Sequence, residues 1–246
     1  MPTAIAVIRA LGLIDVKSVV RDSMLRWLVG VPIVFALAFR WGVPALRVWL
    51  GERYGFDLGP YYPLLTSFLV LMVPTLLGSV VGFLLLDQRD DRTLTALQVT
   101  PLTVAGYLAY RTAVPMLVSV PVMMASVAIA DLVSIGAGPM LAAAVQAAPA
   151  APLYALFVAA FATNKVQGFA LMKGVGVLTW PPVLAWFVSS PWQVAFGIDP
   201  LYWPLKLFWM LEADEPRVWL YFIVGLAYQS LLVAILLVRF KSVISR

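Results

Sequence analysis

The feature that most constrains this chain is a run of 26 residues, Tyr61 to Leu86, with no charged side chain. Crossing a hydrocarbon core about 30 Å thick takes about 20 apolar residues of helix. A helix also satisfies its own backbone N–H and C=O groups where no water can do so. Comparable stretches lie at about Trp27–Trp49, Tyr107–Ala130, Met140–Ala162, Phe169–Val188 and Arg217–Val238. Only 12% of the 246 residues are charged, against about a quarter in a soluble domain. The sequence therefore predicts an all-α membrane protein: one transmembrane domain over residues 1–246 with six spanning helices.

Six spans place both termini on one side, and basic residues choose the side, because loops rich in Lys and Arg stay in the cytoplasm. Eleven basic residues, Arg89, Arg92, Lys165 and Lys173 among them, then fall inside and four fall outside, with Arg40 and Arg111 in or at spans. The expected location is the cell membrane, multi-pass, with cytoplasmic termini. Residues 1–26 mix apolar and charged positions at a rough helical period. Ala4, Ile5, Ile8, Leu11 and Val19 share a face, which predicts an interfacial helix; a segment packed on other protein is the alternative. Arg40 is open to pairing with an acid, but the favoured reading puts it near the outer end, snorkelling to headgroups. Gly78 and Gly82, four apart, suit a close helix–helix contact. Residues 189–216 are aromatic but broken by Pro191, Pro200 and Pro204, and predict a re-entrant or interfacial segment on the outer side.

The same residues exclude much chemistry. There is no cysteine and no histidine, which removes disulfides, His/Cys metal ligation and Cys or His nucleophiles. Neither GxxxxGK[ST] nor GxSxG occurs, and no span holds two acids. No catalytic or metal-binding residue is expected. The net charge of +5 belongs to residues at the ends of apolar runs, where they meet lipid headgroups, so no nucleic-acid partner is implied.

What remains is a polar island, Asp87 to Pro101. Asp87, Arg89, Asp90, Asp91 and Arg92 form its charged head. Thr93 can cap a helix, Leu94 and Leu97 fall on one face of it, and Pro101 ends it. An amphipathic contact helix and a solvated loop with incidental leucines both fit this pattern.

Arg89-Asp90-Asp91, Thr93-Leu94, Leu97 and Thr100-Pro101-Leu102, followed by Tyr110-Arg111 in the next span, resemble the loop motif of ABC-2 type permeases, the membrane subunits of ATP-binding cassette exporters. Arg92, Thr95 and Gln98 stand where the family pattern has glycine, glutamate and a leucine. Asp199-Pro200-Leu201-Tyr202 is similar to a second family stretch before the last span. The resemblance implies that residues 87–101 form a cytoplasmic coupling helix seated on a separate nucleotide-binding ATPase subunit. Asp90, Asp91, Arg92, Thr93, Leu94, Leu97, Thr100 and Pro101 would make that contact. ATP and magnesium would be bound by the partner, with no cofactor in this chain, and a second permease chain, identical or related, would complete the complex. Met123, Met124, Trp180, Trp186 and Phe187 are candidates for an apolar substrate path, with packing against lipid or neighbouring helices as the alternative. Export of a hydrophobic or amphipathic compound, drug or antibiotic efflux first, is the expected function. Lipid, peptide or bacteriocin-immunity export and a non-transporting scaffold are the rivals.

Overall fold

The computed structural model describes residues 4–90, 104–178, 180–188 and 191–244. Every regular element among them is helical. Helix α1 covers Ala4–Arg21. It stops because Asp22 turns to extended backbone and its carboxylate accepts the N–H groups of Met24 (2.9 Å) and Leu25 (3.3 Å), capping α2, Ser23–Tyr54. The expected interfacial segment of 26 residues is thus shorter, and the first long helix begins before Trp27. Helix α2 runs through Pro32 and Pro44 and ends at Gly55, whose φ of +64° suits a residue without a Cβ. A short 3₁₀ turn leads into α3, Tyr62–Asp90. Next come α4, Val104–Ala130, then α5, Ala137–Ala147, and α6, Ala150–Phe161. The last two are separated at Pro149, which has no N–H to continue a helix.

Among the described residues, five helical stretches are long and apolar enough to cross a membrane: Ser23–Tyr54, Gly59–Gln88, Gly106–Ala130, Ala137–Phe161 and Val218–Ser242. The region expected as a further span, Phe169–Val188, is helical on both sides of residue 179, which lies outside the described residues. It holds α7, Lys165–Leu178, then α8, Trp180–Leu184, then a 3₁₀ turn to Phe187. Between residues 191 and 216 lie a 3₁₀ stretch, Trp192–Ile198, and α9, Tyr202–Glu212. Both are too short to span. The last helix, α10, covers Val218–Ile244.

Helix α3 is the centre of the bundle. It packs on α6 most extensively, and on α4, α2 and α9. Its two small residues explain the α6 contact. A Cβ at Gly78 would collide with the Ala151 carbonyl, and one at Gly82 would lie 3.0 Å from the Val158 Cβ. Backbones this close leave room for nothing larger than glycine. The hydroxyls of Thr66, Ser67, Thr75 and Ser79 donate to carbonyls one turn back at 2.7–2.8 Å, so these four donors are met within α3 itself. Short α9 is held inside by Trp209, whose indole N–H donates to Ser67 Oγ at 2.5 Å. Helix α10 lies on the outside against α6 and α9. There Gly225 leaves room for Trp203 and Gln146, and Gln146 Nε2 donates to the Tyr221 carbonyl at 2.9 Å.

Candidate functional site

The predicted contact helix falls mostly outside the described residues: Asp91, Arg92, Thr93, Leu94, Leu97, Thr100 and Pro101 all do, and Asp90 is described only as the last residue of α3. What the structure describes is how the loop is rooted at each side. Both roots lie at the end of the bundle that carries α1.

The first root is the end of α3. Asp87 Oδ2 is 3.0 Å from the Lys165 ammonium at the start of α7, and the same ammonium is 3.3 Å from Asp22 Oδ2, the cap of α2. One lysine therefore holds the end of α3 to the junction of α1 and α2. Burial pulls the Asp22 carboxyl upward, but the N–H groups of Leu25 and Met24 and the Lys165 ammonium outweigh it and leave it below the usual carboxylate value. Lys165 is pulled down by burial and more than restored by Asp87 and Asp22, so its ammonium is held above the ordinary lysine value. Helix α7 is also seated by packing: the Phe83 and Phe169 rings lie 4.8 Å apart, and Gly168 lets them approach.

The second root is the start of α4. Arg111 is buried, and its guanidinium binds the Asp15 carboxylate of α1 in a fork, Nη1 to Oδ2 at 2.7 Å and Nη2 to Oδ1 at 3.0 Å. Tyr110 donates its hydroxyl to the same Oδ2 at 2.8 Å. Arg111 Nε donates to the Tyr107 hydroxyl at 3.2 Å, and Tyr107 in turn donates to Gln88 Oε1 near the end of α3. The guanidinium also lies over the rings of Tyr107 and Tyr110 at 5.3 and 5.4 Å. Gln88, Tyr107, Arg111 and Asp15 thus form one continuous polar chain from α3 through α4 to α1. Planar, two-pronged pairing suits an arginine and gives this chain a fixed geometry.

Arg111 is expected near the start of a span, and its sequence neighbours offer it no partner. Asp15 lies 96 positions away, so nothing local connects them. The available signal was energetic: an arginine inside an apolar run costs about 2.5–3.5 kcal/mol on insertion scales unless paired, and α1 carries one acid, Asp15, able to pair it.

Arg40 also differs from the favoured expectation. It donates to the Ile129 carbonyl at 3.0 Å and lies 3.6 Å from Asp131, which turns the chain out of α4 with a φ of +52°. Near it, Arg47 Nε is 2.7 Å from Asp57. The Gly59 N–H, and then Arg47, hold the Asp57 carboxyl below its usual value.

The five candidate path residues are spread over the fold. Met123 is 1% exposed and Phe187 62%. Met124 packs against the core that contains Met123. Trp180 meets the edge of Phe68 at 5.9 Å, Trp186 the edge of Trp209 at 5.0 Å, and Phe187 lies 6.4 Å from Tyr61. No group of three or more acids that could hold a metal occurs among the described residues.

Residues 15–237 match a family profile described as "Fluoroquinolones export permease protein Rv2686c-like". Two relatives from Mycobacterium tuberculosis, of strains CDC 1551 and H37Rv, are each 35% identical over 244 residues, 98% of this chain and 95% of theirs. Both are named fluoroquinolones export permease proteins.

Proposed function

The chain belongs to the Rv2686c-like family of fluoroquinolone export permeases, an ABC-2 type permease family, and from that premise we propose that it is the membrane subunit of an exporter driven by a separate ATPase. It is a multi-pass membrane protein. In this reading the α1 end of the bundle faces the cytoplasm, and α7 with α8 completes a sixth crossing. The 3₁₀ stretch and α9 re-enter from the outer side. Two permease chains pair with two ATPase subunits that bind ATP and magnesium, and residues 87–101 form the coupling element between the two kinds of chain. Leu94 and Leu97 supply apolar contact, and Asp90, Asp91 and Arg92 set register with salt-sensitive pairs. Thr93 caps the element, and Thr100-Pro101 ends it.

The observation that carries the coupling role is the rooting of the loop on both sides. Lys165 ties Asp87 to Asp22, and Arg111 joins Tyr107 and Gln88 to Asp15. A push on the loop reaches α1, α2, α3, α4 and α7 through charged contacts of fixed geometry, as a rigid lever requires. The cargo we assign is a fluoroquinolone-like drug. The names of the relatives favour it over lipid, peptide or bacteriocin, and Met123, Met124, Trp180, Trp186 and Phe187 remain candidates for apolar contact along its route. A purified permease reconstituted with its ATPase tests this. Wild type moves drug with ATP, and Leu97→Asp inserts normally but loses at least tenfold of drug-stimulated ATP hydrolysis. Normal coupling in Leu97→Asp removes the lever assignment, and absence of ATP-dependent flux in wild type favours a scaffold.

A further inference from the structure

Between α1, α2, α3 and α4 lies a cavity of about 430 Å³, within the roughly 300–1,000 Å³ of small-molecule sites. Its walls are valines and leucines from all four helices, and its polar groups are Asp15, Tyr110 and Arg111. Val16, Val20, Val29 and Val118 on its rim are exposed, so it opens sideways, toward lipid in a membrane. We infer that this cavity is the loading site for a zwitterionic aromatic compound. Its rings would lie among the valines, its carboxylate on Arg111 and its ammonium on Asp15. The proposal rests on the exporter reading above and names where that exporter takes its cargo.

Two features select the head group. A guanidinium has five N–H donors, and three of those of Arg111 are engaged, by Asp15 Oδ1, Asp15 Oδ2 and the Tyr107 hydroxyl. The other two have no recorded partner among the described residues, so an anionic oxygen can join without displacing Asp15. A buried charged donor left unmet is costly in an apolar setting, which favours a ligand that brings an acceptor. Charge balance then decides between an acid and a zwitterion. Asp15 and Arg111 together are neutral. A bare carboxylate would leave the site negative in a medium where an unpaired charge is expensive, whereas a zwitterion keeps it neutral and offers Asp15 a second cation. The occupied site would also act on the loop, because the arginine that takes the carboxylate holds Tyr107 and, through it, Gln88.

Norfloxacin is a suitable probe: it is aromatic, zwitterionic and fluorescent. Its binding to the permease–ATPase complex in nanodiscs is measured by anisotropy, beside its ethyl ester, which keeps the amine and lacks the acid. The expected result is at least tenfold weaker binding in Val81→Trp, which fills the cavity from α3, and at least tenfold weaker binding of the ester to wild type. Val16→Trp fills the site from the exposed side of α1, where bulk does not threaten folding, and is expected to weaken binding likewise. Tryptophan variants that bind as wild type does, or an ester that binds as well as the acid, overturn the site while norfloxacin flux leaves the exporter standing. Native mass spectra with phospholipid retained in wild type and lost in Val81→Trp, at unchanged drug affinity, assign the cavity to lipid and overturn it too. A wild-type complex that neither binds nor moves norfloxacin removes the exporter reading, and the loading site with it.

Discussion

At the α1 end of the bundle, the Arg111 side chain is 2% exposed and shares one carboxylate, 16% exposed, with a tyrosine; at the other end Arg40 and Asp131 meet with 43% and 69% of their side chains exposed. Each pair ties α4, or the residue just after it, to an N-terminal helix. Only the first is enclosed, forked and extended by further hydrogen bonds. An open pair in water or among headgroups is cheap to break and re-form. A closed pair cannot lose one partner without stranding the other's charge. The comparison therefore separates an end built to keep its geometry under load from an end free to rearrange. That is the division of labour expected if a soluble motor acts at one end and cargo leaves from the other.

The largest effect is expected at Arg111. Arg111→Met leaves Asp15 charged and mostly shielded from water, and the expected loss is up to about 3–5 kcal/mol, read as a drop in the denaturant midpoint in micelles. Adding Asp15→Leu to that variant is expected to recover much of the loss, because an apolar pair needs no partner. A double variant as unstable as the single one would mean the fork itself, and not the stranded charge, sets the stability.

Next in size is Asp22→Ala, which removes the cap of α2 and one of the two acids on Lys165. About 1 kcal/mol is expected from the cap. The pH dependence gives a second reading. The folded Asp22 carboxyl is held below its ordinary value, so its contribution is present above that value and is lost as pH falls through the folded one. Lys165 is held above its ordinary value, so its contribution is lost only as pH rises beyond the lysine range. Thermal stability of wild type should then be flat, as far as this cluster is concerned, between about pH 5 and 9. The acid limb should be shallower in Asp22→Ala. The smallest effect is Asp131→Asn at the open end, expected to cost no more than about 1 kcal/mol and to leave drug-stimulated ATP hydrolysis unchanged. A large defect there would erase the contrast between the ends.

Much of the helical scaffold was legible because hydrophobic length is a local property. Five of the six apolar runs correspond to helical stretches long enough to span, and Gly78 with Gly82 marked the close face of α3. The run from Phe169 to Val188 lies over α7 and α8, with residue 179 between them outside the described residues. The Asp15–Arg111 pair was not legible, since which acid meets which arginine depends on how α1 folds back over α4. Arg40 showed the same limit at lower stakes: its partner, Asp131, had to come from just beyond the end of another helix.

The contact of Gly78 with the Ala151 backbone also sets an order of assembly. Chains of this kind are inserted as they are synthesised, and α3 leaves the ribosome well before α6 exists. Until α6 arrives, the face carrying Gly78 and Gly82 must be held by lipid or by an insertion chaperone. Helix α3 has no charge from Tyr61 to Leu86, so it can wait there without being expelled. A bulky residue at Gly78 would therefore do its damage during biogenesis, by keeping α6 from closing on its partner, and would show first as a chain cleared by quality control.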